Sequence, residues 1–555
     1  MADQESLLNQ VYLEIGGMAA EKATELIGDL VSLTVESSLH LADSATITVH
    51  DRQLKWTDEQ GLEPGKTLKI SAKTGDRDHP IFDGEIVGLE PEFSPESPRF
   101  VIRAFDRLHR LSRGKKTRSF VNVTDGDVVK KLAGEAGLST SLGPTTQVHK
   151  YLFQHNETNL EFLRRRASAL GYVIYVEGKK LHFKEPKADG DTVELQWAAT
   201  LTEFHPRLST MNQVSSVTVR GWDPEKRQEI VGRAGEGNGV PAVGERRRGG
   251  ALAKDAFGIE ATALGADIPV REQGRADAMA KAIAERHASA FIEAEGSCGG
   301  QPKIVAGTPL KISAVGDRFS GTYVVTNCRH EYRLDKTFVT HFNVSGQNPS
   351  SLLATLAPKE KAPSIHGVVV AIVTDNQDPD GLGRVKLKYP WLASDQESFW
   401  ARIVIVGGGP ERGIAFYPEI DDEVLVGFEH GDIHHPYVLG GLWNGVDKPA
   451  ISNSDAIKSS KVQKRVIKTR VGHKITLDDD DGGGGITIED KSGNSIVLDT
   501  GSNSLKVKVQ GDVSIEAQGS MKLKATGSVE ISGMGVKIDG GGGTVDVKGT
   551  MVNLN

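Results

Sequence analysis

From Ile486 to Asn555 the chain repeats a short strand pattern that one copy has almost no way to fold alone. Pairs of aliphatic residues two apart recur as Ile486/Ile488, Ile496/Leu498, Leu505/Val507, Val513/Ile515, Met521/Leu523, Val529/Ile531, Val536/Ile538, Val545/Val547 and Val552/Leu554, at spacings of 10, 9, 8, 8, 8, 7, 9 and 7 residues. Alternation within a unit sends two side chains to one face and polar ones to the other. The Gly, Ser, Asn and Asp between units supply the turns. One unit cannot bury its apolar side, so neighbours must stack into a continuous core. A single-chain β-helix needs about twenty residues per coil to surround that core, and a unit this short covers one face only. Three chains winding around one another close the prism, each giving one strand per layer, and leave no lateral sheet edge. The segment has no aromatic residue and no Pro, Arg, His or Cys, which suits a thin, stiff rod. The competing reading, a peripheral β-sandwich, usually carries aromatics and longer connections. At ~4.7 Å per layer the nine units predict a rod on the order of 40 Å long.

The remainder is ordinary globular material, 38% hydrophobic and 25% charged over the whole chain, and 555 residues leave room for several domains. A net charge of -8 argues against a dedicated nucleic-acid binder, which needs basic surface. No apolar run is long enough to cross a membrane, and the start, Met1 to Ser6, lacks the basic and apolar regions of a signal peptide. The expectation is therefore assembly in the cytosol. Cys298 and Cys328 are the only cysteines. They lack metal-ligand spacing, suit a reducing compartment, and read as two semi-buried thiols near strands.

Along the chain, Leu30 to Val35, Ala45 to His50, Thr67 to Ser71, Ile81 to Leu89 and Phe100 to Ala104 alternate as strands of a small barrel. Thr158 and Glu161 form a capping-box pattern, Leu160, Leu163, Ala167 and Leu170 share a helical face, and Gly171 stops the helix before a strand from Tyr172 to Val176. Strand structure restarts from Asn212 to Gly221. The Gly-rich stretch from Gly232 to Gly250, with Arg246, Arg247 and Arg248, reads as an extended mobile loop carrying a solvated basic run. A helix is expected from Arg271 to Glu293 with Ala278, Ala282, Ile283 and Ala290 on one face. Strands from Pro309 to Ser313, Gly321 to Asn327 and Thr337 to Val344 suggest a second barrel. Three copies joined by the rod would present six barrels, a threefold object able to dock on a hexameric one.

After a linker from Leu356 to Ser364, five strands run from Val368 to Val373, Gly383 to Tyr389, Phe399 to Val406, Glu423 to Phe428 and Tyr437 to Leu439, the number of an OB-type barrel. Within them stand Gly383-Arg384-Val385-Lys386-Leu387, Phe399-Trp400-Ala401-Arg402, Phe416-Tyr417-Pro418-Glu419-Ile420, Asp422-Glu423-Val424-Leu425-Val426, Gly431-Asp432, Pro436 and Gly440. This series resembles the VgrG-type spike family of contractile injection systems, which is similar to a fusion of the hub and needle proteins of contractile phage tails. Asn156-Glu157-Thr158-Asn159-Leu160-Glu161-Phe162-Leu163 resembles the same family's Asn-Glu-x-x-x-x-Phe-Leu helix.

The resemblance implies a mainly β fold with some α: a first hub β-barrel over 1–110, an α/β insertion over 111–205, a second hub β-barrel over 206–350, a linker over 351–365, an OB-fold domain over 366–446, a second linker over 447–470, and an intertwined triple-stranded β-helix needle over 471–555. It implies a homotrimer whose hub barrels form a pseudo-sixfold collar under the hexameric inner tube, among other baseplate components. It also implies a PAAR-like tip protein on the blunt end at Met551 to Asn555, effector cargo, and delivery outward on sheath contraction. The alternatives are a contractile-phage hub whose cell-wall hydrolase is supplied elsewhere, and an OB-fold protein binding nucleic acid or sugar.

Neither the segment from Val446 to Arg470 nor the end of the rod leaves space for a catalytic domain, and no Ser/His/Asp or Cys/His set can be argued. No catalytic residue, cofactor or metal is expected. His430, Asp432, His434 and His435 come nearest to a metal cluster, but they fill a turn between two OB strands. The acidic run Asp478 to Asp481 lacks the alternation and closing Glu of a calcium loop and is expected to bend the chain at the rod entrance. Tyr389, Trp391, Phe399 and Trp400 are candidate stacking platforms for single-stranded nucleic acid, but their spacing is that of a core and the chain is acidic.

Overall fold

The computed structural model describes residues 11–553 except 75–76, 96, 187–189, 240, 267, 334–335, 347–363 and 394. Most of the linker expected at 351–365, and the terminal residues Leu554 and Asn555, lie outside these. The chain divides into two units, 1–442 and 443–555.

Alternating strands build the first unit around a ten-stranded sheet. Its spatial order is Val11–Ile15, Thr67–Thr74, Arg77–Glu92, Arg99–Phe105, Ser44–His50, Leu30–Ser38, Asn327–Arg333, Lys336–Val344, Ile292–Gly299 and Leu201–Leu208. The strands expected between residues 30 and 105 are all present and mostly longer than their alternation suggested. The strand Val11–Ile15 and the helix α1 (Ala20–Gly28) join them. The two barrel halves are not separate sheets: Leu30–Ser38 pairs antiparallel with Asn327–Arg333, from Ser32 opposite Arg333 to Ser38 opposite Asn327. Alternation fixes which face of a strand is buried but not which strand lies beside it. Two cores persist on this shared sheet, one around Leu26, Ile47, Trp56 and Ile102, the other around Phe291, Leu310, Tyr323 and Phe342.

Two helices between them, α2 (Asp125–Glu135) and α3 (Asn159–Leu170), start on capping boxes. Thr158 Oγ1 accepts the Glu161 N–H at 3.1 Å and Glu161 Oε2 accepts the Thr158 N–H at 2.7 Å, while Gly171 ends α3 at φ 70°. Leu160, Phe162, Leu163 and Ala167 are buried against Leu132, Leu181 and Phe183.

The stretch from Gly232 to Gly250 is not the loop its glycines predict. Gln228–Gly235 is a strand, Ala242–Val243 pairs with Thr322 and Gly321, and Gly249 opens α4 (Gly249–Phe257). A Cβ on Gly232 would lie 2.3 Å from the Ala276 carbonyl, on Gly237 2.5 Å from Ala284 O, and on Gly250 2.4 Å from Val214 O. These glycines permit close packing of backbone on backbone rather than flexibility. The helix expected from Arg271 is shorter, α5 (Gln273–Ser289), and the strand Ile292–Gly299 takes the rest. Its buried side is Ala276, Ala280, Ala284 and Ala288, with Ala282 beside them, not the face through Ala278 and Ala290. Close backbone approach at Gly232 and Gly237 selects the row four residues apart.

Val368–Asp375, Lys386–Lys388, Arg402–Ile403, Glu423–Phe428 and Pro436–Gly441 form the five-stranded OB sheet, closed by bridges from Val385 to Ala401 and Lys388 to Glu397. Its core is Ala371, Val373, Leu387, Tyr389, Val424 and Val426, and it includes Phe153 from the α/β insertion.

In the second unit, Lys464–Lys468, Lys474–Asp478, Gly485–Glu489, Ser495–Asp499 and Ser504–Lys508 form an antiparallel meander. Regular strands thus begin at Lys464, within the linker expected over 447–470 and before the repeat was read to start. Up to Lys508 neighbouring units pair within one chain, because the connections Asp479–Gly484, Asp490–Asn494 and Thr500–Asn503 are long enough to reverse it. Beyond Lys508 glycines recur every eight residues at Gly511, Gly519, Gly527, Gly535 and Gly543. From Gly511 to Asn553 every residue is exposed and none is assigned to a strand.

Candidate assembly face

The register of the meander aligns its aliphatic residues into two columns on one face. Ile467, Ile475, Ile488, Ile496 and Val507 lie side by side, as do Leu477, Ile486, Leu498 and Leu505, with Arg465 heading the second column. Packed interiors normally hide such residues, yet here Ile488 is 46% and Leu498 47% exposed, and the stripe continues through Ile515 and Leu523 at 73% each. The first column floors an apolar trench of about 470 Å³ between His473 and Val509. The columns begin earlier than the repeat predicted. Ile475 and Leu477 carry the same two-residue signal, whereas Arg465 stands where Ile467 would have an aliphatic companion and hides the first strand.

The acidic run turns the chain between the second and third strands of the meander and not at the rod entrance, and three of its members face basic residues of the preceding segment. Asp478 meets Lys464 at 3.4 Å, Asp481 meets Lys461 at 3.4 Å, and Asp479 pairs with Arg465.

In the first unit three of the four residues nearest to a metal cluster, Asp432, His434 and His435, form a hydrogen-bonded turn. Asp432 Oδ1 lies 2.6 Å from His434 Nδ1, and Asp432 Oδ2 lies 3.2 Å from His435 Nδ1. His434 Nε2 accepts the Phe153 N–H at 2.9 Å, so both its ring nitrogens are engaged. Burial works against the Asp432 carboxylate, but the two imidazoles outweigh it and hold its carboxyl far below the usual range. His430 stands apart and exposed. Among the described residues no group of three or more His, Cys, Asp or Glu is placed to hold a metal.

The aromatic candidates do not form one platform. Tyr389 is in the OB core, Phe399 packs on Tyr151 at 5.8 Å, Trp391 donates its Nε1–H to Val370 O at 3.1 Å, and Trp400 lies under Lys386. Cys298 and Cys328 are both buried and free, and burial pushes the Cys298 thiol up to about 12. Burial disfavours the thiolate at both. In the basic run Arg247 is bidentate to Glu245 at 3.0 and 3.1 Å, and Arg248 donates to Glu236 O and Asn238 Oδ1. No helix among the described residues is long and apolar enough to cross a membrane.

Residues 10–333, well over half of the chain, match the profile of the Alg8 N-terminal domain. Residues 369–443 match the type VI secretion system/phage-baseplate injector OB domain, and 464–506 the phage baseplate V C-terminal trimerisation domain. The chain belongs to the Alg8 N-terminal domain family, and its OB and trimerisation domains are those of a VgrG-type spike. Among VgrG relatives it is 24% identical over 398 residues to the type VI secretion system spike protein VgrG5 of Pseudomonas aeruginosa, covering 63% of this chain and 46% of that protein. It is 22% identical over 384 residues to the spike protein VgrG3 of Vibrio cholerae, covering 61% and 35%. The chain thus spans less than half the length of these VgrG relatives.

Solved VgrG-like structures share the fold. An E. coli component of the type VI secretion system, described as similar to the T4 bacteriophage tail proteins gp27 and gp5, aligns over 78% of this chain and 99% of its own at 16% identity and a TM-score of 0.50. The half-lidded Francisella PdpA-VgrG complex aligns over 90% and 88% at 10% identity and a TM-score of 0.53.

Proposed function

We propose that this chain is the combined hub and needle of a contractile injection system, acting as a homotrimer and not as an enzyme. In this reading the hub caps the hexameric inner tube at the baseplate, and the stripe from Ile467 to Val552 packs against its two copies to form the rod. The rod pierces the target envelope on sheath contraction and carries a PAAR-like tip, with effector cargo travelling on that tip or in the tube. Assembly takes place in the cytosol before outward delivery. The observation that carries the reading is the two-column apolar face of the meander, which one chain leaves exposed to water, followed by further exposed aliphatic pairs.

Light scattering on the purified chain tests it, with an expected mass of three times 59.7 kDa. A truncation ending at Gln463, ahead of the first strand of the meander, should lose most of that assembly. A full-length monomer at micromolar concentration would overturn the reading. Co-purification with a PAAR-like protein of the same system, lost on truncation, tests the tip separately.

A further inference from the structure

The OB barrel is held to the α/β insertion by the strand Val148–Glu157, with Ser119 bonded to Gln396 beside it, and one imidazole stands at the centre of the joint. Phe153 of this strand is 2% exposed within the OB core, Tyr151 Oη donates to Glu397 O at 2.6 Å, and Phe399, Tyr151, Phe153, His155 and Trp391 form a chain of ring contacts. The backbone link at its centre runs from the Phe153 N–H to His434 Nε2. A backbone amide can only donate, so His434 Nε2 must be a bare acceptor, and the ring proton sits on Nδ1 facing Asp432. We propose that this joint is an acid-released latch, closed while His434 is neutral and opened when its Nε2 takes a proton. The protonated ring would set N–H against N–H at Phe153 and leave a charge in a buried site.

The surroundings oppose that charge more than they support it. Within its own turn His434 faces Asp432, which favours protonation, and His435, which shares that carboxylate. The strand presents the Tyr151 ring edge at 6.3 Å, with His155 two residues beyond Phe153. From α3 comes Arg165, already bound to Glu157 at 2.8 Å, and from α5 comes Arg275, with Glu272 just ahead of it. Arg271, preceding α5, is bound to Glu429 at 2.8 Å. Burial, opposed by Asp432 and aided by Arg165 and Arg275, lowers the His434 pKa. A base whose folded pKa is depressed contributes stability that is present above the unfolded value and is lost as pH falls through about 6.5 and below.

This inference stands on the joint alone and not on the spike reading. Hydrogen exchange on the full-length protein tests it, comparing the segment 148–157 with the strands Glu423–Phe428 and Arg99–Phe105 between pH 7.5 and 4.5, after correction for intrinsic rates. If opening takes up one proton, protection of 148–157 should fall about tenfold per pH unit over the acid range while the two reference strands hold theirs. His434→Gln, which keeps an acceptor but cannot titrate, should flatten that profile, and His155→Gln should not. Equal loss in all three segments would overturn the proposal, as would a His434→Gln profile matching wild type or an acid response that vanishes only in His155→Gln. The wild-type comparison decides alone if either variant fails to fold.

Discussion

The turn from Asp378 to Arg384 shows how one buried pair can set a barrel entrance. Asp378 accepts two bonds from the Arg384 guanidinium, at 2.7 and 2.9 Å, and the backbone N–H groups of Asp380, Leu382 and Arg384. Both side chains are nearly inaccessible, and Gly381 and Gly383 take φ of 65° and 70° so that the chain can wrap the carboxylate. The Arg384 hydrogen bond, more than any other cause, holds the Asp378 carboxyl down to about 2. A folded pKa below the unfolded one contributes stability above about pH 4 that is lost as pH falls toward 2, worth about 2 kcal/mol. Asp378→Asn should therefore lower the melting temperature at pH 7 and lose most of its effect only as the pH falls through about 2, as thermal melts at pH 7 and below pH 2 would read. Gly383-Arg384 was legible as a motif, but its partner was not. An aspartate six residues earlier gives no sequence signal until the turn is folded.

At the scale of elements, packing distances decide what propensity leaves open. Gly232→Ala and Gly237→Ala should each cost about 1–3 kcal/mol, because α5 backbone occupies the space a Cβ needs. Gly235→Ala is the control: it lies in the same glycine-rich stretch and has nothing within 4 Å of its Cβ position. Melting temperatures of the three variants check this, and an equal shift in all of them would return the stretch to loop behaviour. Here the sequence misled, since Gly permits both a mobile loop and a close approach, and only the partner backbone tells them apart. The opposite holds for α3, whose start and stop at Thr158, Glu161 and Gly171 were legible because capping is local. All five OB strands were legible, but those expected from Gly383 to Tyr389 and Phe399 to Val406 shrink to Lys386–Lys388 and Arg402–Ile403. The Leu30–Ser38 to Asn327–Arg333 pairing was not, because nearly three hundred residues separate its members. For the assembly face, alternation revealed the stripe from Ile486 on, and Arg465 concealed its first strand.

For the whole molecule, the repeat's exposed face offers a test that separates a lone chain from an assembled one. Ile488 sits mid-column between Ile475 and Ile496 and is 46% exposed in the single chain. Were the chain to work alone, Ile488→Asp would be a surface change worth within about 0.5 kcal/mol. In a trimer three carboxylates would be forced into one apolar interior, at an effective cost of several kcal/mol per ion. The expected outcome is thus a trimer that fails while the hub still melts as wild type, read by light scattering and differential scanning calorimetry on the same sample. Thr487→Asp, one residue away on the opposite face, should leave the trimer intact. The same interior predicts slow unfolding, because the packed apolar faces of three chains must part together before any one chain escapes. Wild type should run as a trimer in unheated SDS and as a monomer only after boiling, and Ile488→Asp should run as a monomer in both.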